Sequence, residues 1–413
     1  MDSATPAAHP FDGPHAPAAA PTERDSTSRL DIQRPGDSAR LVEHTFGGLP
    51  RDSLIVIGLL DGFTGGHMRI DLSPALADPF ASARMIADCL AGPGAEPAPE
   101  AAMVMLIGEG PASIEQDAAW SSCLEALGLI LEAEYCVRIV QCWFLAAGHI
   151  RDPACTEHSC CELPGQPVDE LLGPSTEQSE PAVRRPRPLR DAAELFLRQA
   201  QAPDPTVLDR VQRNRRSPEQ GLDPAAAQRL LHRWDVVLEA LTRGIGTGAV
   251  EHAPELLKQL QSASSRDLLI PLATVGLPAT LIGLQAEHGD GRAPQGPAQE
   301  RLLADYASSF LGETGRRPDW ERVDALEQVL GELVPYAAGS ERENLLCVMA
   351  WIEWARGRGT AAGSFIDQCL AEFPDNQFSR LIDQLMQLKG VCLWARVKRH
   401  SWSWAQNQAQ SRS

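Results

Sequence analysis

One short stretch carries the residues best suited to chemistry: Cys155-Thr-Glu-His158-Ser-Cys160-Cys161, with His149 a little upstream. Thiolate and imidazole are the ligands zinc prefers, in tetrahedral sets, so Cys155, His158, Cys160 and Cys161 are the candidate metal ligands. The spacing is not that of a standard knuckle, which repeats a pair of closely spaced cysteines. Cys160 and Cys161 are adjacent, and neighbouring side chains on an extended chain point to opposite faces. Three uses stay open: a zinc site, a redox thiol pair, and a buried thiol cluster capping a sheet.

Other constellations are less complete. Gly108-Glu-Gly110-Pro-Ala-Ser113 lies between an apolar run and a helical pattern, where backbone amides can hold phosphate. It lacks a third glycine and a following Lys, and Glu109 would repel an anion, so a plain strand-to-helix turn is expected. Asp52-Ser53 follows Gly47, Gly48 and Pro50 without a Gly-x-Ser-x-Gly elbow, which points to a turn-capping Asp rather than a nucleophile. Arg69 and Asp71 could line a site at a second strand, or sit on an exposed sheet face. The run Trp394-Ala-Arg396-Val-Lys398-Arg399-His400-Ser-Trp402-Ser-Trp404 mixes bases with aromatics. That suits stacking on single-stranded nucleic acid, an amphipathic surface contact, or docking of one or two Trp on a neighbouring helix pair.

The elements that must position these residues divide in two. Ser53–Leu60 is a β-branched run typical of a buried strand, and His67–Leu72 alternates polar and apolar, so the two predict a hairpin. A helix is predicted over 79–90, a buried strand over 101–107, a long helix capped by Ser113 and ending near 132, and a strand over 135–145. This order implies a mixed α/β sheet with flanking helices. After a proline-rich connector every pattern is helical, with Asp204-Pro205 and Asp223-Pro224 reading as helix starts and 268–285 as a buried hairpin. Around Leu346–Asn376, small Ala350, Ala362 and Cys369 fall where two helices approach closely, and Pro374 ends the second. The spacing is similar to one tetratricopeptide repeat.

The predicted divisions are a disordered tail at 1–36, an α/β domain at 37–165, a proline-rich linker at 166–190, a helical-hairpin domain at 191–390 and a flexible basic, Trp-bearing tail at 391–413. Across 413 residues, 37 are basic and 55 acidic, a net charge of −18. Such a surface repels nucleic-acid backbones and anionic membranes, so no nucleic-acid partner is expected. The first 36 residues carry no apolar signal core, and the longest uncharged run, 268–285, is interrupted by Pro271 and Pro278, so neither a leader nor a membrane span is expected. The ten cysteines would then be thiols of a cytoplasmic protein.

Three segments carry a family likeness. They are Phe46-Gly-Gly-Leu-Pro50-Arg-Asp52-Ser53-Leu-Ile-Val-Ile-Gly58-Leu, Arg69-Ile-Asp71-Leu, and Cys155 with Cys160-Cys161 and Pro164-Gly165-Gln-Pro167. From about residue 40 to 385 the chain resembles the actinobacterial family called domain of unknown function 4192. Leu49 stands where that family commonly has His, and His158 departs from its cysteine pattern. The resemblance implies the same fold outline and a bacterial cytosolic setting, and no activity. The residues themselves favour a non-catalytic protein-binding or adaptor module holding a peptide or protein in its helical array. The rivals are an enzyme, such as a hydrolase, with a site near Asp52 and Asp71, and a zinc-stabilised structural protein.

Overall fold

The computed structural model describes residues 31–410, apart from 47, 62, 93–97, 156–160, 173–190, 200–201, 216–223, 247, 289–295 and 315. Helix α1 (Pro35–Phe46) leads to the hairpin β1 (Ser53–Leu60) and β2 (Phe63–Asp71). Helices α2 (Leu72–Ala77) and α3 (Pro79–Ala91) connect it to β3 (Ala101–Gly108), and α4 (Ile114–Tyr135) connects β3 to β4 (Arg138–Ala146). Short β5 (His149–Arg151) and β6 (Gln166–Pro167) and helix α5 (Val168–Leu172) complete this half. The strands form one mixed sheet in the order β2-β1-β3-β4-β5-β6, with β3 and β4 parallel and the other neighbours antiparallel.

Local chemistry accounts for these boundaries. Ser113 Oγ accepts from the Gln116 amide at 3.2 Å, the N-cap bond that starts α4. The helix ends later than the sequence pattern suggests because Cys136 takes a left-handed conformation, φ 58°, and turns the chain into β4. Ala147 and Gly148, both at positive φ, form the two-residue turn between β4 and β5. One sheet face packs Leu54, Val56, Met68, Val104 and Leu106 under α2, α3 and α4. The other packs Ile55, Ile57, Met103, Met105 and Trp143 under α1 and α5.

The connector expected at 166–190 begins later than its composition implies. Val168, 3% exposed, joins the core beneath α1, and Arg40 donates to the carbonyls of Leu171 and Leu172 at 2.9 and 3.3 Å, so the sheet half continues to Leu172. Residues 173–190 lie outside the described residues.

Every element of the second half among the described residues is a helix. It comprises α6 (Ala192–Arg198), α7 (Pro205–Arg215), α8 (Pro224–Thr242), α9 (Ala253–Leu260), α10 (Ala263–Thr274), α11 (Leu277–His288) and α12 (Pro297–Ser309). Then come α13 (Trp320–Leu333), α14 (Ser340–Ala355), α15 (Gly359–Glu372), α16 (Gln377–Lys389), α17 (Leu393–Arg396) and α18 (Trp402–Gln410). The predicted start at Asp204-Pro205 is present, with Asp204 Oδ1 accepting from the Thr206 amide at 2.7 Å. Its counterpart Asp223 lies outside the described residues. Helices α14 and α15 form the close pair read from the small residues, and Ala350, Ala362 and Cys369 are all 0% exposed.

The segment from 391 is no free tail through residue 410. Trp394 is 0% exposed, donates to Thr314 Oγ1 at 2.8 Å, and meets the rings of Trp320 and Trp351 edge-on at 6.2 Å each. Burying a large aromatic whose indole N–H also finds a partner outweighs the chain entropy of ordering the basic residues around it.

Candidate functional site

Most of the motifs singled out by sequence serve the fold. Asp52 Oδ1 accepts from the Glu109 amide at 3.0 Å and ties two loops together. Ser53 is 0% exposed and accepts from Arg69 Nε at 2.8 Å, an arrangement without a base. A Cβ on Gly108 would stand 2.7 Å from the Trp120 ring, so that glycine permits helix-to-strand packing rather than a phosphate cradle. His149 Nδ1 lies 3.1 Å from the Ala147 carbonyl, within its own turn. Of the four proposed metal ligands, Cys155 and Cys161 are half-buried, while His158 and Cys160 lie outside the described residues.

The concave feature lies elsewhere. A cleft of about 2900 Å³ separates the β2 side of the sheet half from the helical half. Every residue from Thr64 to Asp71 lines it. Side chains on a strand alternate between faces, so uninterrupted contact along eight residues means that the cleft follows the edge of β2. The helical half meets β2 on one face and α3, which covers the other face, on the opposite side. On the α1 side, Arg69 donates through Nη1 to Thr360 Oγ1 of α15. On the opposite side, Met85 Sδ of α3 comes within 3.2 Å of a Cβ built on Gly390, after α16, and Arg396 Nη2 donates to the Asp88 carbonyl at 2.7 Å.

The backbone phase of β2 follows from one bond. Leu72 N donates to the Asp52 carbonyl at 2.7 Å, and the register continues unbroken from Ser53–Asp71 to Ile57–His67. Hydrogen-bonded and non-bonded pairs alternate in an antiparallel ladder, so His67 turns its N–H and C=O away from β1 and toward the cleft. The cleft walls also crowd its imidazole: solvent reaches it, yet desolvation pushes its pKa below the ordinary value.

The facing wall holds charges. Arg356, with a side chain 1% exposed, contacts Asp324 at 2.5 Å, Glu327 at 2.6 Å and Glu353 at 3.0 Å. Arg358 adds a 3.0 Å contact to Glu353, itself almost fully buried. Burial alone would lower the Arg356 pKa, but the three carboxylates outweigh it and hold the guanidinium charged. Burial likewise raises Glu353, against the two arginines. Trp402 of α18 lies over Arg356 at 4.9 Å and donates to Asp324 Oδ1 at 2.9 Å, closing the network.

Across the lining, nine side chains are Asp or Glu and five are Arg or Lys. Arg356 is held by its carboxylates, and Arg69 pairs with Asp71 at 2.7 Å, so the balance facing the space is acidic. Asp367 of α15 is exposed, with no hydrogen bond or ion pair among the described residues. Desolvation raises its pKa, and the carboxylates of Asp383 and Asp71 raise it further.

Sequence reasoning reached Arg69 and Asp71 and missed Thr360, Asp367, Asp383 and Arg356. The available signal was charge within an apolar helix: Glu353 stands between Ile352 and Trp354, at a position that buries it.

Residues 35–389 match the family model described as Domain of unknown function (DUF4192). The chain belongs to that family. Comparison with curated proteins and with solved structures returned no match. The DUF4192 match spans β2, α15 and α16, and so includes Arg69, Thr360, Asp367 and Asp383; α17 and α18, with Trp394 and Trp402, follow it. Among the described residues of this DUF4192 chain, no helix is long and apolar enough to cross a membrane.

Proposed function

We propose that this protein is a non-catalytic protein-binding module of the bacterial cytoplasm, and that its site is the cleft between β2 and the helical array. The observation that carries the reading is the unbroken run of cleft-lining residues from Thr64 to Asp71 along β2. Small-molecule pockets measure roughly 300–1,000 Å³. A cleft of about 2900 Å³ bounded by a strand edge suits a polypeptide segment better than a metabolite. The α14–α15 pair, which we read as tetratricopeptide-like, lines the opposite wall.

Gly363 on α15 lines the cleft, and a Cβ built there meets nothing within 4 Å. Gly363→Trp therefore fills the cleft without disturbing the core, and it replaces glycine in a helix interior. A random peptide library displayed against the full chain should yield bound sequences that the Gly363→Trp chain no longer retains. Retention of nothing by the native chain, or of the same set by both, overturns the reading.

A further inference from the structure

We propose that the occupant of the cleft is an extended, basic segment of another polypeptide, which pairs with β2 as an added edge strand and sets Lys or Arg side chains against Asp367 and Asp383. This deepens the reading above and rests on it.

Three observations lead there. β2 ends the sheet order, so among the described strands it has a neighbour on one side only. A strand edge is a ready template for another strand, and natural proteins cover, shorten or charge it. Here α15 bonds β2 through Arg69 on one face, the segment after α16 packs against α3 on the other, and the cleft follows the edge between them. A helix bound there would leave the strand's edge unused, whereas an extended chain matches its repeat and exchanges main-chain bonds. His67 directs its backbone groups into this space, and Gly65 and Gly66 beside it present no side chain to obstruct a second strand.

Charge then selects the segment. Asp367 faces the cleft with no ionic partner among the described residues, and Gln387 Nε2 holds one oxygen of Asp383 at 2.9 Å. Asp71 on β2 adds a third carboxylate to the same field, already shared with Arg69. Like charges from three elements repel, and a bound cation relieves that repulsion. Among the described residues, no three His, Cys, Asp or Glu side chains stand close enough to hold one metal ion. A guanidinium or ammonium on a long flexible stem bridges the wider spacing. An acidic segment would meet a lining in which carboxylates outnumber cations by nine to five, with Asp367 and Asp383 beside its path, and be disfavoured.

The test uses three fluorescein-labelled decapeptides titrated into the full chain at low salt. The first alternates Arg and Val. The second alternates Glu and Val. The third is the first with backbone N-methyl groups on two adjacent central residues, which keeps every side chain and removes two N–H donors. The Arg–Val peptide should bind, and the Glu–Val and N-methylated peptides should each bind at least about tenfold more weakly. Asp367→Asn with Asp383→Asn should weaken the Arg–Val peptide about tenfold while leaving the circular dichroism spectrum unchanged. Equal binding of the Arg and Glu peptides overturns the choice of a basic segment, and equal binding of the N-methylated peptide overturns strand pairing. If library peptides lost by Gly363→Trp prove acidic or helical, this inference fails while the cleft remains the binding site.

Discussion

Arg69 on β2 and Thr360 on α15 are 291 residues apart in the chain, yet the guanidinium of the first donates to the hydroxyl of the second. The same guanidinium donates to Ser53 Oγ at 2.8 Å and Asp71 Oδ1 at 2.7 Å. One cation thus joins the sheet, its edge strand and the helical array, and sets the spacing of the cleft between them.

Arg69 is nearly buried, so removing it leaves its partners short of a charged donor. Arg69→Met should lower unfolding stability by about 2–3 kcal/mol, since hydrogen bonds to charged groups contribute more than neutral ones. Thr360→Val removes one of several partners and should cost about 1 kcal/mol. Urea denaturation of both variants checks the order; an equal cost would mean that Arg69 contributes through the domain contact alone.

Asp367→Asn should stabilise the unliganded protein at neutral pH. The native carboxyl holds its proton more tightly than an ordinary Asp, through desolvation and the facing Asp383 and Asp71. With its folded pKa raised, the group favours folding below the ordinary value of 3.8 and loses that contribution as pH rises through the folded pKa. The gain in urea midpoint should be largest near pH 7 and shrink as the pH falls toward 3.8.

Trp402 covers Arg356 and Arg358 at 4.9 and 5.7 Å and bonds Asp324. Trp402→Ala should cost about 2 kcal/mol from the cation–π contact and the lost hydrogen bond together. Trp402→Phe keeps a ring over the arginines and should recover part of that cost. Chemical denaturation compares the two.

Cys136 caps α4 at φ 58° and ψ 28°, where a β-carbon crowds the backbone. Cys136→Gly should stabilise the protein by about 1 kcal/mol, read from the urea midpoint.

The local elements were legible because their causes are local. The β-branched residues of Ser53–Leu60 need no distant partner to favour a strand, and Ser113 caps a helix three residues away. The hairpin, the long α4 and the paired helices α14 and α15 followed from such signals. Misreadings arose where burial overrode composition. Val168 and Trp394 lie in stretches rich in proline or basic residues, and each enters a core built from residues far away in the chain. The cleft had no local signature for the same reason. The pattern left Asp71 open between lining a site and sitting on an exposed sheet face, and it singled out neither Asp367 nor Asp383. Only the fold brings β2, α15 and α16 into one field.

Amide hydrogen exchange along β2, with and without the Arg–Val peptide, tests the central claim most directly. Pairing along the strand edge should slow exchange at His67, Arg69 and Asp71, whose N–H groups turn away from β1, by at least about tenfold, and Gly363→Trp should abolish the effect. Unchanged exchange in β2, with protection appearing only on helical surfaces away from the cleft, would contradict it.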